Sequence, residues 1–169
     1  MTQHEIRHPI PLLNAAGELT EPGYAKTMLP VYRRADIRAG KLRVKEWDYY
    51  LVNNGRFALA LTVADNGYMG MDSVSLLDFE EGWEITTSPM SLLPLGKLRM
   101  PETSVCGDVR HSGKRHALAF ENDGSGRRVL TAQMENFRPK GTLNAQMELG
   151  DPTAESMVIC TPFGRKGHF

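Results

Sequence analysis

Cysteine is almost missing from this chain: Cys106 and Cys160 are the two among 169 residues. They lie too far apart for the paired spacing of a zinc site or a redox C-x-x-C, so both are expected as free thiols and no disulfide scaffold holds the fold. Long apolar runs are missing too, which excludes a transmembrane helix. Residues 1–11 carry His4, Glu5, Arg7 and His8 with no apolar stretch between them, so a secretory leader is not expected and the chain reads as cytoplasmic. Neither sign of charge is in excess: 20 Lys and Arg stand against 20 Asp and Glu. Without a global field, nucleic-acid binding is not expected. The sequence has no G-x-S-x-G elbow, no phosphate-binding G-x-x-x-x-G-K-[ST], no G-x-G-x-x-G after a strand and no H-E-x-x-H, which removes the common hydrolase, kinase, dehydrogenase and metalloprotease templates. Sustained helical periodicity is absent; residues 24–28 and 33–37 each allow one helical turn.

What is present is strand-like. Residues 1–40 mix Pro9, Pro11, Pro22 and Pro30 with Gly17 and Gly23 and read as an extended segment with small turns. From 41 to 163 come alternating segments rich in aromatic and β-branched residues, at 41–52, 56–64, 73–79, 83–87, 103–111, 114–120, 127–137, 142–149 and 155–161, punctuated by Ser112-Gly113, Asn122-Asp123-Gly124, Pro139-Lys140-Gly141 and Asp151-Pro152. The expectation is one all-β domain, an antiparallel meander forming a barrel, half-barrel or sandwich.

Two hairpins invite a register. A three-residue loop Asn53-Asn54-Gly55 with Gly55 at positive φ aligns Trp47, Tyr49 and Leu51 with Leu61, Leu59 and Phe57 on one bulky face. Asp48, Tyr50 and Val52 then share the other face with Ala60, Ala58 and Arg56. The same loop length at Glu80-Glu81-Gly82 pairs Phe79 with Trp83 and Leu77 with Ile85.

The segment KEWDYYLVNNGRFALALTVADNGYMGMDSVSLLDF, with EPGYAK before it and PLGKL and SMVICTPF after it, resembles the bacterial family known as domain of unknown function 2804. That resemblance implies a distantly lipocalin-like fold. It also implies that this chain is the N-terminal half of a longer two-half protein, whose missing C-terminal half or a homodimer partner would complete it. No activity, catalytic residue or cofactor follows from it.

Six residues are ligand-binding candidates. Asp48 and Tyr50 lie on the small-residue face, where there is room for a ligand, and an exposed sheet face is the plain alternative. Asp65, Asn66, Tyr68 and Asp72 crowd the ADNGYMGMD segment, expected either to ring a barrel mouth or to form a tight turn bonded to its own backbone. His111 and His116 fall diagonally on one face, but two ligands fall short of a zinc centre, so no metal is expected. The basic run Arg33, Arg34, Arg38, Lys41, Arg43 and Lys45 is expected to solvate a strand edge. The function expected is binding of an apolar or amphipathic small molecule, lipid- or isoprenoid-like, or half of an enzyme acting on one. The alternative is a structural or protein-interaction domain with no catalysis.

Overall fold

The computed structural model describes residues 3–137, 141–150 and 155–163. Within them the chain forms β1 (Ile10–Pro11), β2 (Gly23–Ala25), β3 (Pro30–Val31), β4 (Glu46–Asn53), β5 (Phe57–Asp65), β6 (Met69–Asp78), β7 (Trp83–Thr87), β8 (Met90–Leu92), β9 (Val109–Gly113), β10 (His116–Asn122), β11 (Arg127–Glu135), β12 (Thr142–Gly150) and β13 (Val158–Cys160). A 3-10 turn at Arg34–Asp36 is the one helical element among the described residues. The fold is all-β, as expected, and its main sheets are meanders. One sheet runs β4-β5-β6-β7 with β8 also on β6, and the other runs β12-β11-β10-β9, every pair antiparallel.

The two sheets share one apolar core. Leu61, Val63 and Val74 come from the first; Val109, Leu118, Phe120, Leu130, Ala132 and Met134 come from the second; Met100 and Phe137 close its margins. Each strand supplies these residues at period two, as a pleated strand buried on one face must. A smaller cluster of Ile6, Ile10, Ala25 and Cys160 lies where β2 pairs with β13 and β1 runs parallel to β3. The 1–40 segment is therefore less irregular than its prolines suggest, and residues 24–28 begin in β2 instead of a helical turn.

Both hairpin registers differ from expectation by an odd number of residues, three in the first and one in the second. Trp47 pairs with Ala64, Tyr49 with Thr62 and Leu51 with Ala60, so Phe57, Leu59 and Leu61 do not share their face. Asn54 N–H donates to the Phe57 carbonyl at 3.0 Å, and the Phe57 N–H donates to Asn54 Oδ1 at 2.8 Å. Gly55 and Arg56 alone turn the chain, with Gly55 at φ 96°, the first position of a two-residue turn where glycine is favoured. Arg56 is drawn into the turn because its guanidinium reaches Asp78 Oδ2 at 3.0 Å. The positive φ expected at Gly55 is present; the length of the loop is what differs.

The second hairpin pairs Asp78 with Trp83 and Leu76 with Ile85, so Phe79 does not pair with Trp83 nor Leu77 with Ile85. Asp78 Oδ1 accepts the N–H groups of Glu80 and Glu81 at 2.9 and 3.0 Å, and Gly82 N–H donates to the Asp78 carbonyl at 2.9 Å. That capping adds Phe79 to the loop.

A slip by an odd number of residues reverses which side chains share a face. Asp48, Tyr50 and Val52 consequently share the inward face with Val63, Leu61 and Leu59, while Trp47, Tyr49 and Leu51 are about half exposed on the outward face. Among boundaries, residues 41–45 and 103–108 are not strand, Met69–Asp72 are strand instead of loop, and β8 was unforeseen. The turn expected at Pro139-Lys140-Gly141 falls largely outside the described residues, and that at Asp151-Pro152 wholly so.

Candidate functional site

At one end of the sandwiched core a carboxylate from the first sheet meets two imidazoles from the second. Asp72 pairs with Val63 across the β5–β6 ladder and so points inward; its side chain is 3 % exposed. His111 on β9 and His116 on β10 also point inward, since His111 pairs with Leu118 and His116 with Gly113. The diagonal placement expected of the two histidines holds, although Lys114 and Arg115, not Ser112 and Gly113, make the turn between the strands.

The contacts converge on a single oxygen. Asp72 Oδ2 lies 2.5 Å from His111 Nδ1 and 2.6 Å from His116 Nε2. A ring nitrogen that bears its proton can donate to that oxygen, and one that does not offers a lone pair instead. Asp72 Oδ1 is buried with no hydrogen-bond partner among the described residues. The ring centroids of the histidines are 6.2 Å apart, and the donor atoms of all three residues lie within 4.8 Å of one another. Chemically the group can accept or hold a proton, or ligate a cation, at a place where His111 still meets solvent at 26 % exposure.

The space for His116 is made by Gly113, directly across the ladder. A Cβ on Gly113 would stand 2.2 Å from His116 Cε1, 2.9 Å from Nδ1 and 3.0 Å from Nε2. Only glycine lets the imidazole lie flat against the neighbouring strand and reach Asp72.

The other candidates are dispersed. Asp65 is buried and uses both oxygens on backbone: Oδ1 accepts the Gly67 N–H at 3.0 Å and Oδ2 the Gly96 N–H at 2.8 Å. Asn66 forms the adjoining turn through its main chain, accepting from Tyr68 N–H at 2.9 Å. Tyr68 is exposed, with Lys45 Nζ 4.5 Å from its ring centroid.

Asp48 and Tyr50 belong to a different place, the edge of β4. Burial raises the Asp48 carboxyl above its ordinary pKa, partly offset by the nearby Arg128 guanidinium. Burial, and then the charge of Asp48, push the Tyr50 phenol up. Beside Asp48 lies a cleft of about 310 Å³ lined by Leu12, Tyr32, Ile37, Val44, Trp47 and Met100 among others. Its outer wall is the N-terminal segment, fastened by Glu46: Tyr32 Oη donates to Glu46 Oε1 at 2.7 Å, and Arg34 Nε reaches both Glu46 oxygens at 2.9 and 3.0 Å. From the basic run, then, Arg34 is not a solvated edge residue. Burial followed by the bond to Glu46 raises the Tyr32 phenol.

Sequence reasoning named Asp72 and noticed the histidine pair but did not join them. The signal was available: Asp72, Val74 and Leu76 share one strand period, and an aspartate on an apolar period needs partners from the facing sheet.

Comparison with known proteins gives one result. The family model described as Domain of unknown function (DUF2804) matches residues 3–169. No curated protein and no solved structure matches the chain.

Proposed function

The chain belongs to the DUF2804 family, and on that footing we propose that this domain binds an amphipathic small molecule in the cleft along the edge of β4, in a lipocalin-like manner and in a cytoplasmic setting. The observation that carries the reading is Asp48. Its half-buried carboxylate lines a mainly apolar cleft of about 310 Å³, its pKa raised by burial and partly offset by the Arg128 charge. That volume lies at the small end for ligand pockets, and a mainly apolar lining with a few polar groups, here Tyr32, Lys45, Glu46 and Asp48, is their usual composition. A carboxylate that is costly to desolvate favours a ligand head that donates hydrogen bonds, a hydroxyl or an amine, over another carboxylate.

The test uses a long-chain alcohol, amine and fatty acid of equal length, titrated while following tryptophan emission, because Trp47 lines the cleft. The alcohol and amine are expected to bind at micromolar strength, about 8 kcal/mol, and the acid more weakly. Asp48→Asn should narrow that difference, and Ile37→Trp should fill the cleft and abolish binding. Equal binding of all three by the unaltered protein, or undiminished binding by Ile37→Trp, overturns the reading. Ala60, expected on the same face as Asp48, pairs with Leu51 on the opposite face and does not line this cleft.

A second reading, a protein-interaction domain that docks a second copy of this chain, has a separate observation behind it. Trp47, Tyr49 and Leu51 are 50–55 % exposed in one outward row, an apolar surface that association would cover. A concentration-independent monomer by sedimentation would remove this reading.

A further inference from the structure

We propose that Asp72, His111 and His116 form a binding site for one divalent transition-metal ion, separate from the β4 cleft. The argument begins with how this protein treats its other buried aspartates. Asp65 fills both oxygens with backbone N–H groups, and Asp78 gives Oδ1 to two amides and Oδ2 to Arg56. Asp72 brings two histidines to one oxygen and leaves the other buried and unpaired. A purely structural carboxylate gains nothing from that asymmetry, and an unpaired buried acceptor is costly.

A cation seated between the three donors accounts for it. A metal takes an imidazole in the tautomer whose proton sits on the far ring nitrogen, which makes Nδ1 of His111 and Nε2 of His116 lone-pair donors to the ion. Metal–ligand bonds of about 2.0–2.2 Å set neighbouring donors about 3.3 Å apart in a tetrahedron. The two imidazoles, now 2.5 and 2.6 Å from Oδ2, need only draw back by less than about 1 Å each, a side-chain adjustment within the same rotamer well. The free Oδ1 can then chelate or accept a hydrogen bond from a metal-bound water.

The donor set decides the class of ion. Two imidazole nitrogens and one carboxylate suit zinc, iron or another first-row ion and not calcium or magnesium, which prefer all-oxygen shells. Three protein ligands leave a position for water or a small anion, and His111 is the partly exposed member through which solvent reaches it. The ligands come from β6, β9 and β10, three strands of two sheets, so the ion would also join the two halves of the core.

The test titrates the full chain, stripped with chelator, with Zn²⁺ by calorimetry and with Co²⁺ by visible absorption. One ion per chain is expected at micromolar affinity or tighter, with the intense visible bands of tetrahedral or five-coordinate cobalt. Asp72→Asn and His116→Gln should each weaken binding at least tenfold. Gly113→Ala carries the most weight because Gly113 is no ligand: its new Cβ displaces the His116 ring, and affinity should fall by about tenfold or more. That collision is with a mobile side-chain end, so the fold should survive, as circular dichroism would check. His4 and His8, both near Glu21, form a competing surface cluster; His4→Ala with His8→Ala should leave the affinity unchanged. Absence of stoichiometric binding, or wild-type affinity in both His116→Gln and Gly113→Ala, overturns the proposal.

Discussion

Tyr50 on β4 meets Phe120 on β10 edge-on, with ring centroids 5.0 Å apart and planes inclined at 68°. The pair joins the two sheets through the core, and Phe120 is 2 % exposed. Phe120→Ala should destabilise the domain by about 3–5 kcal/mol through lost burial and a residual cavity. Tyr50→Leu keeps apolar volume and gives up mainly the aromatic geometry, about 0.5–1.5 kcal/mol. Denaturant unfolding measures both, and a far smaller loss for Phe120→Ala would mean that the sheets are not held together there.

Asp65 ties two segments that share no ladder, the turn at Gly67 and the connection at Gly96. Asp65→Ala leaves two amides without acceptors and should cost about 1–3 kcal/mol. Asp65→Asn retains one acceptor oxygen and should cost less. Amide exchange at Gly96 should quicken in both, most in the alanine variant.

The acid limb of stability should carry opposite signatures from two aspartates. Burial pushes the Asp78 carboxyl up, but the Glu81 amide, Arg56 and the Glu80 amide more than offset it, so its pKa is lowered. An aspartate depressed in the folded state stabilises above its unfolded pKa of about 3.9 and loses that contribution as pH falls through the folded value. Asp78→Asn should therefore lower Tm near neutrality and flatten its decline toward low pH. Asp48 is raised by burial, so its contribution is present at low pH and is lost as pH rises above about 3.9. Asp48→Asn should raise Tm at pH 7 and leave it nearly unchanged at about pH 3.

Gly55 has open space where a Cβ would go, and φ of 96°, so the cost of a side chain there is conformational and not steric crowding. Gly55→Val should destabilise by about 1 kcal/mol or more, and Gly55→Asn by less, because asparagine tolerates left-handed backbone better. Equal losses for the two would point to packing in place of backbone strain.

The strand segments and their meander order were readable because period-two apolar alternation and Gly/Asn punctuation are local signals. Register was not, because it depends on side chains reaching out of the hairpin: Arg56 crossing to Asp78 and Asp78 capping its own loop. Such contacts shift a register by an odd number of residues, and that parity separates Trp47 from Leu61 and sets Asp48 opposite the inward Val63. The histidine pair was visible from its spacing, yet its third member came from a strand 39 residues earlier in the sequence, beyond the reach of any spacing rule. Glu46 as the anchor of the N-terminal segment was likewise hidden in what looked like a plain basic run.

The pairing of β2 with β13 sets the order in which the molecule assembles. Gly23 and Cys160 are more than 130 residues apart in the chain, whereas both large sheets are built from neighbouring hairpins. Closing so long a loop carries an entropic cost that near-neighbour ladders avoid, and the reward is a small cluster of Ile6, Ile10, Ala25 and Cys160. The two meanders are expected to form early and this clasp last, and unfolding should open it first. Amide exchange at Ala25 and Cys160 would then run ahead of that at Leu61 and Leu118, and the clasp could part while the Asp72 cluster, held between the large sheets, stays whole.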